Sequence, residues 1–208
     1  RDIIYAISHA RGSMDLGMHW WNEGKLKNKV NTFKDYIATA NHLIEKKYTS
    51  KGKIIFLGGS AGGLLGGAVA NMAPDLFLSM VLHVPFVNVL DTSLNENLPL
   101  SPNEYKEIGR PKKNKEDFDY IKSYSPYENI SKKEYPSMFI TTSLFDSRVF
   151  YSEPVKYTAK LREMKTDENL LLLKCETAGH GGKTGRDNSI SELAETFAFI
   201  LKSADIKK

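Results

Sequence analysis

Short apolar runs alternate with helical patterns along this chain, and that alternation limits its fold more than any other feature. Ile3-Ile4-Tyr5-Ala6-Ile7 reads as a buried strand. Phe33, Tyr36, Ile37, Ala40, Leu43 and Ile44 then recur at helical spacing, which predicts an amphipathic helix over about 31–47. Further strand-type runs span 53–57, 79–84, 136–142 and 169–173. A small-residue helix over 61–72 stops before Pro74, and helices are expected over 153–164 and 191–202. Strands that are apolar along their whole length are buried on both faces, as in a parallel sheet with helices on each side. The expected fold class is therefore α/β, with a mostly parallel sheet in one domain, since 208 residues suffice for one sizeable core. The segment 110–117, Arg-Pro-Lys-Lys-Asn-Lys-Glu-Asp, is expected to be a solvated loop.

Several function classes fall away. Cys175 is the single cysteine, so neither a disulfide scaffold nor a structural zinc site is expected, and no cofactor or metal is called for. The net charge of +4 is mild and spread along the chain, too weak by itself to argue for nucleic acid or a membrane, and neither is expected as a partner. No run approaches the roughly 20 apolar residues of a spanning helix. The first residue is Arg rather than Met, so the sequence is expected to open inside a longer frame.

The chemistry concentrates at Gly58-Gly59-Ser60-Ala61-Gly62, a G-x-S-x-G turn between a predicted strand and a predicted helix. That context suits a nucleophile elbow, in which small neighbours allow a strained backbone and the Ser hydroxyl stands above the sheet edge. Gly58, Ala61, Gly62 and Gly63 supply the small residues, and the Ala61 N–H would point at a developing oxyanion. A glycine turn of this kind could also hold phosphate, but no P-loop Lys follows and the dinucleotide spacing is absent. A nucleophilic Ser needs a base and the base needs an orienting acid, in the chain order Ser, acid, His for a hydrolase of this sheet type. Of five histidines, His9, His19 and His42 precede Ser60, His83 lies in a strand and reads as a packed core residue, and His180 follows the last strand among glycines. Asp146 ends a strand in between, with Asp167 as a rival that reads as a surface turn. In the resulting scheme His180 takes the Ser60 proton, Asp146 fixes the imidazole tautomer, and water resolves an acyl-enzyme.

Gly58-Gly-Ser-Ala-Gly-Gly-Leu-Leu65, Lys122-Ser-Tyr-Ser-Pro-Tyr127, Asn169-Leu-Leu-Leu-Leu-Lys174 and Ala178-Gly-His-Gly-Gly-Lys-Thr-Gly-Arg186 resemble the catalytic domain of the prolyl oligopeptidase family of serine peptidases, in its oligopeptidase B branch. The resemblance covers essentially the whole chain. It implies an α/β-hydrolase fold whose first strands lie upstream, and a cytoplasmic enzyme that cleaves short peptides after Arg or Lys. It also implies a β-propeller earlier in the same chain and an upstream Tyr as second oxyanion donor. It supports Ser60, Asp146 and His180 as the triad, gives Arg148 the role of binding a substrate carbonyl, and places Glu104 in a subsite for a basic side chain. The family's second carboxylate there falls on Lys106, while the neighbouring Glu107 is expected to project differently. Arg11-Gly12-Ser13-Met14 also departs from the family's Arg-Gly-Gly-Gly. Two other readings fit the residues: a catalytically impaired remnant that lacks the second oxyanion donor, and a carboxylesterase on the same fold.

Overall fold

A computed structural model describes residues 3–99 and 101–206. The elements run α1 (Met18–Asn22), α2 (Val30–Glu45), β1 (Ile54–Gly59), α3 (Ala61–Met72), β2 (Phe77–His83), α4 (Val89–Leu94), α5 (Ser101–Ile108), α6 (Lys115–Tyr124), β3 (Ser137–Ser143), α7 (Ser152–Met164), β4 (Leu171–Glu176) and α8 (Arg186–Ser203). The four strands pair in parallel, in the order β1-β2-β3-β4. Their ends shift by one to three residues from the sequence-based expectation. The helix over 31–47 is α2, that over 61–72 is α3, and that over 153–164 is α7.

Alternate strand residues face two helical layers. Phe56, Met80, Leu82, Met138 and Ile140 point into the larger core with α2, α3 and α7. Val81 and Phe139 point the other way, against Phe199 and Ile200 of α8. Phe56 has 1% exposure, and a side chain buried to that degree contributes about 1.5–3 kcal/mol over leaving it in water. Helix α3 lies close on the sheet because it is glycine-rich. A Cβ on Gly63 would sit 2.3 Å from the Pro85 Cβ, and one on Gly66 would sit 2.5 Å from Leu82 and Phe56 side-chain atoms.

Two expectations fail. Residues 3–7 are not a strand. Ile4 and Tyr5 are 66% and 78% exposed, and the run has no backbone partner among the described residues. An apolar composition cannot make a strand without a neighbour for its N–H and C=O groups. The solvated segment 110–117 is only partly a loop, because α6 begins at Lys115. Asn114 caps it, its side-chain oxygen accepting the Glu116 N–H at 2.8 Å, and Glu116 and Asp117 complement the helix N-terminus. Helix α8 also starts earlier than expected, straight after Gly185 (φ 100°), where its polar first turn hid it.

Candidate active site

Ser60, Asp146 and His180 come from the C-terminal edge of the sheet, where open parallel sheets bind their ligands. Ser60 follows β1 directly, with φ 54° and ψ −119°, a region costly for a side-chain-bearing residue. Its backbone is tied on both sides. The Ser60 N–H donates to the His83 carbonyl at 2.9 Å, and the Ser60 carbonyl accepts the Phe86 N–H at 3.0 Å. Although Ser60 stands at the cap position of α3, its hydroxyl makes no capping bond and is left for other work. Ala61, the first residue of α3, carries a backbone N–H with no acceptor inside the helix. Of the small neighbours, Gly58 is required, because a Cβ there would lie 2.8 Å from the Phe56 ring. Gly62 is not, since nothing stands within 4 Å of a Cβ at that position.

The hydroxyl is 3.0 Å from His180 Nε2, and His180 Nδ1 is 2.7 Å from Asp146 Oδ2. The Asp146 side chain is fully buried, and its other oxygen accepts the Arg148 and Val149 N–H groups at 2.8 and 2.9 Å. A carboxylate can only accept, so Nδ1 carries the imidazole proton and Nε2 is free to accept the Ser60 O–H. Such a chain can draw a proton off the hydroxyl as it attacks a carbonyl and return it to a leaving group. Asp167 lies elsewhere. It pairs with Lys165 at 2.8 Å and accepts the Tyr135 and Asn169 N–H groups.

Arg148 is exposed, and its guanidinium forms no ion pair among the described residues. Glu104 lies half-buried in the first turn of α5 and shares no hydrogen bond or ion pair with Ser60, His180 or Asp146. Burial and the neighbouring Glu107 push its carboxyl above the ordinary range, while Lys29 opposes them. Burial lowers the Lys29 ammonium, and Glu107 and Glu104 both work to raise it. Glu107 therefore shares a charge cluster with Glu104, one helical turn away. The Trp21 indole N–H fixes it at 2.8 Å, and Lys106 is exposed to solvent.

Three features of the structure escaped sequence reasoning. His83 is half-buried rather than a plain core residue. Its ring bonds Thr141 at 3.0 Å and Thr196 at 3.3 Å, burial lowers its pKa, and its carbonyl holds Ser60. Val84 has φ 40°, a marked outlier for a β-branched residue, at the turn that reaches under the elbow. Arg11 binds Asp35 through Nε and a terminal nitrogen at 2.8 and 2.7 Å, beside the departing 12–14 segment.

A profile described as the prolyl oligopeptidase family matches residues 1–207. The chain belongs to that family. "Protease 2" of Moraxella lacunata is 50% identical over all of this chain and 30% of its own length. "Dipeptidyl aminopeptidase BI" of Pseudoxanthomonas mexicana is 46% identical over 97% of the chain and 28% of its own. Oligopeptidase B from Trypanosoma brucei, solved with covalently bound antipain, superposes with a TM-score of 0.93 at 42% identity, over 96% of this chain and 28% of that one. The chain thus spans about 30% of the length of these relatives. The solved relatives and the parallel sheet give it an α/β-hydrolase architecture.

Proposed function

We propose that the protein carrying this chain is a serine oligopeptidase that cleaves short peptides after Arg or Lys through an acyl-enzyme on Ser60. The observation that carries this reading is the unbroken hydrogen-bonded chain from buried Asp146 through His180 to a Ser60 held at positive φ. Ser60 attacks the scissile carbonyl, His180 transfers the proton, and the Ala61 N–H receives the oxyanion. A second donor from an upstream Tyr and a β-propeller earlier in the chain belong to the same proposal, which the greater length of the relatives supports. So does a cytoplasmic setting; among the described residues no helix is long and apolar enough to cross a membrane.

Selectivity for a basic side chain rests on Glu104, with Glu107 rather than residue 106 as its carboxylate companion. Lys106 is exposed to solvent, and Lys29 is the cation that lies close to both carboxylates. Arg148, exposed and unpaired among the described residues, is free to donate to a substrate carbonyl. The test is a fluorophosphonate probe on the intact protein, followed by turnover of Arg-, Lys- and Pro-terminated amides and p-nitrophenyl esters. Labelling is expected at Ser60 and lost in Ser60→Ala, with turnover falling by about 10⁴ or more. Equal labelling of Ser60→Ala would remove the nucleophile. Hydrolysis of esters alone would replace the peptidase by a carboxylesterase. Substrates with a blocked N-terminus separate internal cleavage from the dipeptide removal named for one relative.

A further inference from the structure

The loop carrying His180 is held from two directions through a single residue. The Lys183 backbone N–H donates to Glu192 Oε1 of α8 at 3.0 Å, and Lys183 Nζ lies 2.5 Å from Glu176 Oε2 at the end of β4. Its other backbone ties are few: Gly182 N–H to the Gly179 carbonyl at 3.1 Å, and Phe145 N–H to the Ala178 carbonyl at 3.0 Å. Gly179 and Gly181 have open space where a Cβ would stand. The Glu192 carboxylate also fills the concave side of Gly182 (φ 79°), where a Cβ would come within 2.7 Å of Oε2.

The same helix is tied to β2, the neighbour of the nucleophile's strand. One turn past Glu192, Thr196 Oγ1 is 3.3 Å from His83 Nε2, and the His83 carbonyl accepts the Ser60 N–H. Behind the loop lies a cavity of about 310 Å³ lined by His83, Glu192, Thr196, Gly182 and His180 itself. That space leaves the imidazole somewhere to go if its loop is released.

We propose that Glu192 is a positioning residue for His180. By accepting the Lys183 N–H it fixes the glycine loop and holds Nε2 at hydrogen-bond distance from Ser60, with Glu176 as the second anchor on the same lysine. The inference rests on Ser60 and His180 being nucleophile and base. It predicts a requirement for an acceptor at position 192, independent of negative charge.

The experiment measures the rate of Ser60 phosphonylation by a fluorophosphonate, and kcat and KM, in the intact protein. Glu192→Ala and Glu192→Met, the second filling the space without a strong acceptor, are expected to slow labelling and kcat by about 10- to 100-fold, since a displacement near 1 Å at a reacting group costs that much. KM should hold, because the lost interaction acts on the transition state. Glu192→Gln keeps an oxygen for the Lys183 N–H and is expected to recover most of the rate. Wild-type labelling in both Ala and Met variants overturns the proposal, as does a Gln variant as slow as Met. Failure of the underlying triad would look different, because Ser60→Ala or His180→Ala would then label as wild type does.

Discussion

Both oxygens of Asp146 are committed, one to two backbone N–H groups and one to His180 Nδ1. Asp146→Asn keeps the volume and one acceptor but brings an amide NH₂ towards Nδ1. The imidazole then carries its proton on Nε2 and cannot accept from Ser60. A kcat loss of about 10⁴ is expected with the melting temperature little changed. A loss under tenfold would show that Asp146 does not set the tautomer. Glu153 offers a test of stability instead. It is 2% exposed and accepts the Asn88 N–H at 3.0 Å and the Thr92 hydroxyl at 2.7 Å. Burial nonetheless pushes its carboxyl up to about 7 from an ordinary 4.5. A carboxyl raised on folding gives stability that is present below its unfolded pKa and lost as pH rises through the folded value. The contribution of Glu153 to folding stability should therefore fall between about pH 4.5 and 7. Glu153→Gln, which can still accept from Asn88 and donate to the Thr92 oxygen, should flatten that slope in denaturant titrations. An unchanged slope would remove Glu153 from the pH response.

Among the elements, α3 shows how closely helix and sheet must approach. The Cβ introduced by Gly63→Ala would lie 2.3 Å from Pro85, so either the helix lifts or the turn below the elbow shifts. Overpacking of this kind costs about 1–3 kcal/mol. Gly62→Ala meets open space on the same helix, and replacing a helical glycine gains about 0.5–1 kcal/mol. The two variants should thus move the melting temperature in opposite directions. Movement in the same direction would contradict this packing of α3 on the sheet. This contrast also marks what sequence can and cannot carry. The glycines were legible as a small-residue helix, but which of them faces a wall depends on Pro85, more than twenty residues away. In the same way α2 and the four parallel strands announced themselves, because an apolar stripe or run is a local pattern. The charge of 110–117 concealed the start of α6, although Asn114 and the apolar spacing of Phe118, Ile121 and Tyr124 carried the signal. Ser60, Asp146 and His180 could be found from motif, chain order and strand ends. Glu192 could not, because its role is defined by a backbone N–H that only tertiary structure brings to it.

For the whole molecule, exposed apolar surface and unpaired strand edges decide how the 208-residue chain behaves alone. Strand β1 pairs only with β2, and β4 only with β3, among the described residues. Leu57 on β1 and Leu172 on β4 are 46% and 44% exposed, and the run from Ile3 to Ile7 lies open with Ile4, Tyr5 and Ile7 each more than half exposed. Unpaired parallel edges beside free apolar side chains are templates for pairing with another chain. Produced by itself, the chain is expected to self-associate with rising concentration, visible as growing mass in light scattering. Ile4→Lys combined with Tyr5→Lys should reduce that association without altering the far-ultraviolet circular dichroism, because neither side chain belongs to the core. A monodisperse monomer at all concentrations would show that these edges are already protected. Association undiminished by the two lysines would move the contact from the 3–7 run to the edges of β1 or β4.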